Sequence, residues 1–341
     1  MDTKILESTA AAMVAPGKGI LAMDESSGTC KKRFEGVSVE CSEENRRLYR
    51  QMIVTTPHLG EFISGAILYD ETLRQKDDHG TPFAEILSRH GIIPGIKVDA
   101  GAHAMPLFPG EKITEGLDKL RDRLAEYKQL GARFAKWRAV ITIGEGSQRL
   151  PTDGCIEANA HALARYAALC QEADIVPIVE PEVLMDADHT IKRCYEVTQQ
   201  TLETVFIQLE RFRVHLPGIV LKPNMVISGK QCAEQASHEE VAKQTLKCLK
   251  KNVPDSVAGI AFLSGGQSDV TATVHLNLIN QEGKKPWNVT FSYGRALQDK
   301  ALKIWAQDIK NNVAAAQKAL YHRAKCNGMA SMGKYAEAME Q

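Results

Sequence analysis

Gly218-Ile219-Val220-Leu221-Lys222-Pro223-Asn224 is a short apolar run that ends on a lysine, with a proline directly behind it. A strand buried on both faces reads as such a near-continuous run rather than as an alternation of polar and apolar residues. An ammonium at its end loses solvent, which favours the neutral amine, and a neutral amine is a nucleophile. The same layout recurs in Gly95-Ile96-Lys97-Val98-Asp99 and in Phe134-Ala135-Lys136-Trp137-Arg138. Three interior cations repel one another unless carboxylates or a phosphorylated ligand share their space. The pattern therefore points to imine chemistry on a phosphorylated carbonyl compound.

Working outward, eight such runs can be marked: Gly19 to Glu25, Ile63 to Glu71, Ile92 to Asp99, Arg133 to Val140, Ile175 to Glu182, Gly218 to Asn224, Gly259 to Ser264 and Asn288 to Arg295. Between them lie stretches of helical period. Ile191, Tyr195, Thr198, Leu202, Val205, Leu209 and Phe212 form one apolar stripe. Ile156, Leu163, Tyr166 and Cys170 form another, Leu117, Leu120, Leu124 and Tyr127 a third, and Ser237-His238-Glu239-Glu240 reads as a capping box opening a fourth helix. Leu302, Trp305, Ile309, Val313, Ala316 and Leu320 predict a single C-terminal helix. Strand then helix, repeated about eight times, predicts an α/β fold of the (β/α)8 TIM-barrel type. A doubly wound sheet would need a glycine-rich dinucleotide fingerprint, which Gly17-Lys18-Gly19 does not supply. No linker divides the chain, so residues 1–327 are expected to form one catalytic barrel domain. Residues 328–341, small, polar or methionine with weak periodicity, are expected to be a flexible tail.

The totals exclude several classes. In 341 residues, 42 Lys and Arg balance 42 Asp and Glu, so the electrostatic footprint of a nucleic-acid or membrane-surface binder is missing. Eight scattered cysteines with no C-x-x-C pair fit a reducing compartment. With no membrane-length apolar run and no signal-peptide layout at Met1-Asp2-Thr3-Lys4, a soluble cytoplasmic protein is expected. Asn288-Val289-Thr290 is then a chance sequon inside a strand. The ten histidines occur without H-x-x-x-H or H-x-x-E-H spacing, so no metal is expected in the reaction. Gly-x-Ser-x-Gly is also absent, which disfavours a serine hydrolase.

Polar residues cluster where the runs end: Asp24 and Glu25, Lys97 and Asp99, Lys136 and Arg138, Glu180 and Glu182, Lys222, Ser264, and Arg295. Taken singly, a charge at a strand end usually reaches solvent. Their joint occurrence on seven strands is what indicates a pocket, because barrel sites form at that end. Ser264-Gly265-Gly266-Gln267-Ser268 and Ser292-Tyr293-Gly294-Arg295 suit phosphate, since glycines let backbone N–H groups approach an anion and Arg295 can clamp it. A second anion site is expected near Ser26, Ser27, Arg33 and Lys97, although Ser26 and Ser27 also suit a helix cap.

Gly19 to Ser26, Ala135-Lys136-Trp137-Arg138, Val179-Glu180-Pro181-Glu182, Leu221-Lys222-Pro223-Asn224-Met225, Phe262 to Ser268 and Phe291 to Ala296 together resemble class I fructose-bisphosphate aldolase in order and spacing, from about residue 10 to Tyr335. The resemblance implies a barrel, usually a homotetramer, that cleaves fructose 1,6-bisphosphate reversibly to glycerone phosphate and glyceraldehyde 3-phosphate. It implies no cofactor, only a covalent Schiff base on Lys222. Carried over by motif, Glu180 is the acid and base at the carbinolamine, Asp24 handles the C4 hydroxyl, Lys136 adds positive charge and Glu182 supports the network. Ser264, Gly265, Gly294 and Arg295 would hold the phosphate of the ketone half; Ser26, Thr29, Arg33 and Lys97, with Arg138, would face the other.

One departure stands out. Many members end in a tyrosine that assists proton transfer, whereas this chain ends Ala338-Met339-Glu340-Gln341 and its nearest tyrosine is Tyr335. Altered C-terminal control is expected, with Tyr335 as one possible substitute donor. Two other readings are a related Schiff-base lyase preferring sedoheptulose 1,7-bisphosphate or fructose 1-phosphate, and a non-catalytic barrel scaffold. Retention of Asp24, Lys136, Glu180 and Lys222 counts against the scaffold, which has no reason to keep interior charges.

Overall fold

The computed structural model describes residues 1–144 and 149–341. Eight parallel strands close into a barrel: β1 (Gly19–Met23), β2 (Ile63–Leu68), β3 (Ile93–Lys97), β6 (Phe134–Ile141), β7 (Val176–Val183), β8 (Val220–Leu221), β9 (Gly259–Phe262) and β10 (Asn288–Tyr293), with β10 pairing back onto β1. Six fall within the eight apolar runs, and β6 and β7 each extend one residue past theirs, to Ile141 and Val183. The two remaining strands, β4 (Gly101–Ala104) and β5 (Lys112–Glu115), form an antiparallel hairpin between β3 and β6. The hairpin is largely exposed and carries little apolar pattern, so nothing in its sequence announces it.

Side-chain alternation splits the interior in two. Odd-facing residues such as Leu21, Met23, Ala135, Trp137, Val179 and Leu221 pack outward against the helices in the larger core. Ile20, Ala22, Ile67, Phe134, Val176, Ile178, Val220 and Ala261 point into the barrel, where Leu6, Ala10, Met13 and Val14 join them from the N-terminal helix Thr3–Met13 and its end. That helix plugs one mouth, and the apolar plug fills the lumen as a packed core. Phe134 reaches so far across that a Cβ on Gly95 would lie 2.2 Å from its ring, so only glycine fits there.

The C-terminal region departs from the sequence expectation. The apolar period that predicts one helix is split between Arg295–Gln307 and Val313–Ala330. Asp308 ends the first by accepting hydrogen bonds from the backbone N–H groups of Lys310 and Asn311 at 3.1 and 3.0 Å, a turn that competes with continuing the helix. The third stripe also starts later than expected, with Leu117 outside the helix Leu120–Gln129. The expected domain boundary after residue 327 lies inside Val313–Ala330. Beyond it Tyr335 is buried and donates to Glu340 Oε1 at 2.9 Å, and its backbone N–H donates to Asn277. Arg323 holds the Glu340 carboxylate from the same helix.

Candidate active site

Along the inward face, apolar residues give way to charge toward the C-terminal strand ends. Ile20 and Ala22 lead to Asp24, Phe134 to Lys136 and Arg138, Val176 and Ile178 to Glu180 and Glu182, and Val220 to Lys222. Residues two apart share a face of a strand, so the alternation that builds the plug also aims these charges into one space. Register aligns them across strands: Lys97 lies opposite Lys136, and Arg138 opposite Glu180. The resulting cavity has a volume of about 490 Å³. Fourteen residues singled out from the sequence line it: Lys222, Glu180, Asp24, Lys136, Glu182, Ser264, Gly265, Gly294, Arg295, Ser26, Thr29, Arg33, Lys97 and Arg138; Ser27 and Asp99, also named from the sequence, are not among the lining residues.

At its base sits a chain of opposite charges. Lys222 Nζ is 3.2 Å from Glu180 Oε1, Lys136 Nζ is 3.1 Å from Glu180 Oε2, and Lys136 Nζ donates to Asp24 Oδ2 at 3.1 Å. The Glu180 Oε2 contact is an ion pair without hydrogen-bond geometry, which leaves that oxygen unsatisfied inside the protein. Lys222, Lys136 and Glu180 are each no more than 5% exposed. Burial alone would raise the pKa of Asp24, but Lys136 and Lys222 outweigh it and hold the carboxyl at about 2. Burial likewise opposes the Lys136 charge, yet Asp24 and Glu180 push its pKa above the ordinary lysine value. A permanent ammonium therefore stands beside Glu180, with Lys222 on the other side of that carboxylate.

The rest of the wall is built from paired charges. Arg138 Nε donates to Glu182 Oε2 at 2.5 Å, Lys97 Nζ sits 2.6 Å from Asp99 Oδ1, and Arg33 pairs with Glu25 and, at 2.8 Å, with Asp299. Arg50 completes the Glu25 site at 2.8 Å. Glu25 and Asp99 thus organise cations that face the ligand space. Two further polar lining residues, Lys32 and Asp186, were not anticipated from the sequence, while Ser292 lines the cavity as part of the loop that was. Lys32 precedes Arg33 on the helix Ser27–Glu35 and could have been found from that adjacency. Asp186 lies past the end of β7 and pairs with Lys230 at 2.5 Å, a partner far away in sequence.

Cations outnumber acids seven to five around the cavity. Among the described residues, Lys32 and Arg295 are the two lining cations with no ion pair to an acid. Two loops and two helix starts add donors. Gly265 and Gly266 have φ of 59° and 89°, a left-handed turn that suits glycine, and Arg295 Nη2 lies 3.2 Å from where a Gly266 Cβ would stand. The helix Arg295–Gln307 begins at Gly294 with no side-chain cap, leaving its first N–H groups available to an anion. On the opposite wall Ser26 does cap the helix Ser27–Glu35, its Oγ accepting from Thr29 N at 3.4 Å. The capping reading and the lining position hold together. An electropositive mouth with a donor-rich end on each side suits an elongated ligand with two phosphates.

Tyr335 and the neighbouring tail residues are not among the lining residues. No helix among the described residues is long and apolar enough to cross a membrane.

Comparison with known proteins agrees with this arrangement. A family model described as fructose-bisphosphate aldolase class-I matches residues 5–341. A Xanthomonas campestris pv. campestris protein named "Probable fructose-bisphosphate aldolase class 1" is 60% identical over 335 residues, covering 98% of this chain and 99% of its own. Fructose-bisphosphate aldolase 1 of Toxoplasma gondii is 51% identical over 332 residues, covering 97% and 91%. Among solved structures, fructose-bisphosphate aldolase of Plasmodium falciparum, in complex with TRAP and a small-molecule inhibitor, superposes with a TM-score of 0.96 at 48% identity, over 98% of this chain and 95% of that one. The likeness extends through every strand that carries a charge into the barrel mouth, and the chain belongs to the class I fructose-bisphosphate aldolases, which are lyases.

Proposed function

We propose that Lys222 attacks the C2 ketone of fructose 1,6-bisphosphate and carries the reaction as a covalent Schiff base, without metal. The observation that supports this most is the shared Glu180 carboxylate, one oxygen 3.2 Å from Lys222 Nζ and the other 3.1 Å from Lys136 Nζ. Attack of the amine on the ketone gives a carbinolamine. The Glu180 carboxylate takes the proton released from the carbinolamine nitrogen and returns it to the departing hydroxyl, water leaves and the iminium forms. Asp24, held ionised by its lysine neighbours, takes the C4 hydroxyl proton as the C3–C4 bond breaks. The bonding electrons pass into the iminium as an enamine, and glyceraldehyde 3-phosphate leaves. A protonated imine stores that charge where a ketone does so poorly, which is the reason for the covalent step. Protonation at C3 and addition of water then release glycerone phosphate and regenerate Lys222.

Ser264, Gly265, Gly294 and Arg295 hold the ketone-half phosphate in this reading, and Ser26, Thr29, Arg33, Lys97 and Arg138 face the other. Glu182 positions Arg138 through their hydrogen bond. A cytoplasmic homotetramer acting in glycolysis and gluconeogenesis fits the family, with a barrel domain over residues 1–327 and a C-terminal segment that docks and undocks. Steady-state cleavage of fructose 1,6-bisphosphate in excess chelator tests the assignment. Full activity of the parent protein and a loss on the order of 10⁴-fold or more in Lys222→Ala are expected, and substantial residual activity in that variant would remove Lys222 from the mechanism. Ratios of kcat/KM for sedoheptulose 1,7-bisphosphate and fructose 1-phosphate test the substrate preference. A higher value for either would reassign the enzyme to that sugar phosphate.

A further inference from the structure

We infer that His322, Cys326 and Glu340 form a zinc-type divalent cation site, separate from the barrel mouth, that clamps the C-terminal segment to the body of the protein. His322 and Cys326 are four residues apart on the helix Val313–Ala330, so their side chains share one face. Glu340 arrives from the tail, at the end of the short turn Glu337–Glu340. One ligand atom from each residue falls within a group whose members are all within 4.8 Å of one another. His322 Nε2 is 3.7 Å from Cys326 Sγ and 3.9 Å from Glu340 Oε2. Zinc bonds of ~2.0–2.3 Å in a tetrahedron place ligand atoms ~3.4–3.6 Å apart, so both spacings need to close by only a few tenths of an ångström. The remaining Sγ to carboxylate separation is within 4.8 Å and closes by a small shift of the Glu340 side chain. Thiolate with imidazole and one carboxylate is a donor set that selects zinc over calcium or magnesium, and the fourth position takes water.

The surroundings hold the Glu340 carboxylate in place. Tyr335 donates to Oε1 at 2.9 Å, and Arg323 Nη1 reaches both oxygens at 2.5 Å. Arg323 is itself fixed by Thr273 Oγ1 at 2.6 Å and by the Asp269 carbonyl at 3.1 Å. Oε1 is held by Tyr335 and Arg323 together, whereas Oε2, which faces His322, is held by Arg323 alone, so a cation on Oε2 shares that oxygen with the guanidinium. Arg323, Lys300 and Lys325 oppose a cation here, and the carboxylate and the thiolate formed on binding offset two of these three charges. Coordination by Cys326 as a thiolate displaces one proton to solvent. None of the three residues lines the barrel cavity, so this site takes no part in the Schiff-base chemistry and does not depend on it.

Titration of the metal-free, reduced full-length protein with Co²⁺ and, in competition, Zn²⁺ tests the site. One Co²⁺ per chain is expected, with a thiolate-to-cobalt charge-transfer band and the intense visible absorption of four-coordinate cobalt. The band should vanish in Cys326→Ser and in Glu340→Gln; the second variant alters a tail residue and leaves the barrel core intact. Tyr335→Phe should weaken binding by roughly tenfold, and saturating Zn²⁺ should slow proteolysis after Ser331. Absence of stoichiometric binding, or a band unchanged in Glu340→Gln, overturns the assignment.

Discussion

The two ends of the barrel lumen are built from the same strands by opposite chemistry. On the plugged side Ile20, Phe134, Val176 and Val220 meet Leu6, Ala10 and Met13 of the N-terminal helix, all of them fully buried. Two or four residues further along the same strands, Asp24, Lys136, Glu180 and Lys222 face one another across a cavity. Burying each large apolar side chain contributes roughly 1.5–3 kcal/mol, whereas each buried charge costs several kcal/mol in desolvation that its partners only partly offset. The plug therefore supplies the stability that lets the mouth hold three lysines, and the alternation of one strand delivers both. Stability and chemistry should separate cleanly under mutation.

The largest expected effect is on the plug. Phe134→Ala leaves a void that Gly65 and Gly95 cannot fill, and should cost about 3–5 kcal/mol of stability while the folded fraction keeps its kcat. Chemical denaturation and active-site-normalised kinetics check it; a preserved midpoint would erase the contrast. At the mouth, Arg295→Ala removes an unpaired cation and should raise KM about 10- to 100-fold with little change in melting temperature. A fall in kcat alone, with KM constant, would contradict a phosphate-binding role. Asp24 links the two properties. Its folded pKa of about 2 lies below the unfolded value, so its contribution is complete above pH 4 and fades as pH falls from about 4 to 2. The amount is on the order of 2 kcal/mol, and Asp24→Asn should flatten acid unfolding in that window. The smallest effect is expected at Tyr335, docked on Glu340 and away from the cavity. Tyr335→Phe should change enamine protonation less than about threefold, within ~0.6 kcal/mol, and a larger drop would assign it the proton transfer.

How much could be read from the chain follows from what each segment does. Barrel strands are buried on both faces, so Ile175 to Glu182 or Gly259 to Ser264 stand out as continuous apolar runs, and the charges that end them stand out by contrast. The register that aligns Lys97 with Lys136 and Arg138 with Glu180 is a tertiary fact that no single run contains. The helix break at Asp308 is hidden because the apolar period of Trp305, Ile309 and Val313 continues straight through it. The N-terminal helix was not read from the sequence: Leu6, Ala10 and Met13 have helical spacing, but nothing local says that the surface they cover is the floor of a barrel. Likewise His322 and Cys326 show helical spacing, while Glu340 joins them only once the tail folds back.

The central claim is that one amine at the barrel mouth becomes covalently bonded to the ketone. Borohydride reduction of the full-length protein with glycerone phosphate, in excess chelator, reads this directly by peptide mass. The account predicts a single reduced adduct on the peptide carrying Lys222, absent from Lys222→Ala. An adduct that persists in that variant, or that maps to Lys97 or Lys136, would contradict it.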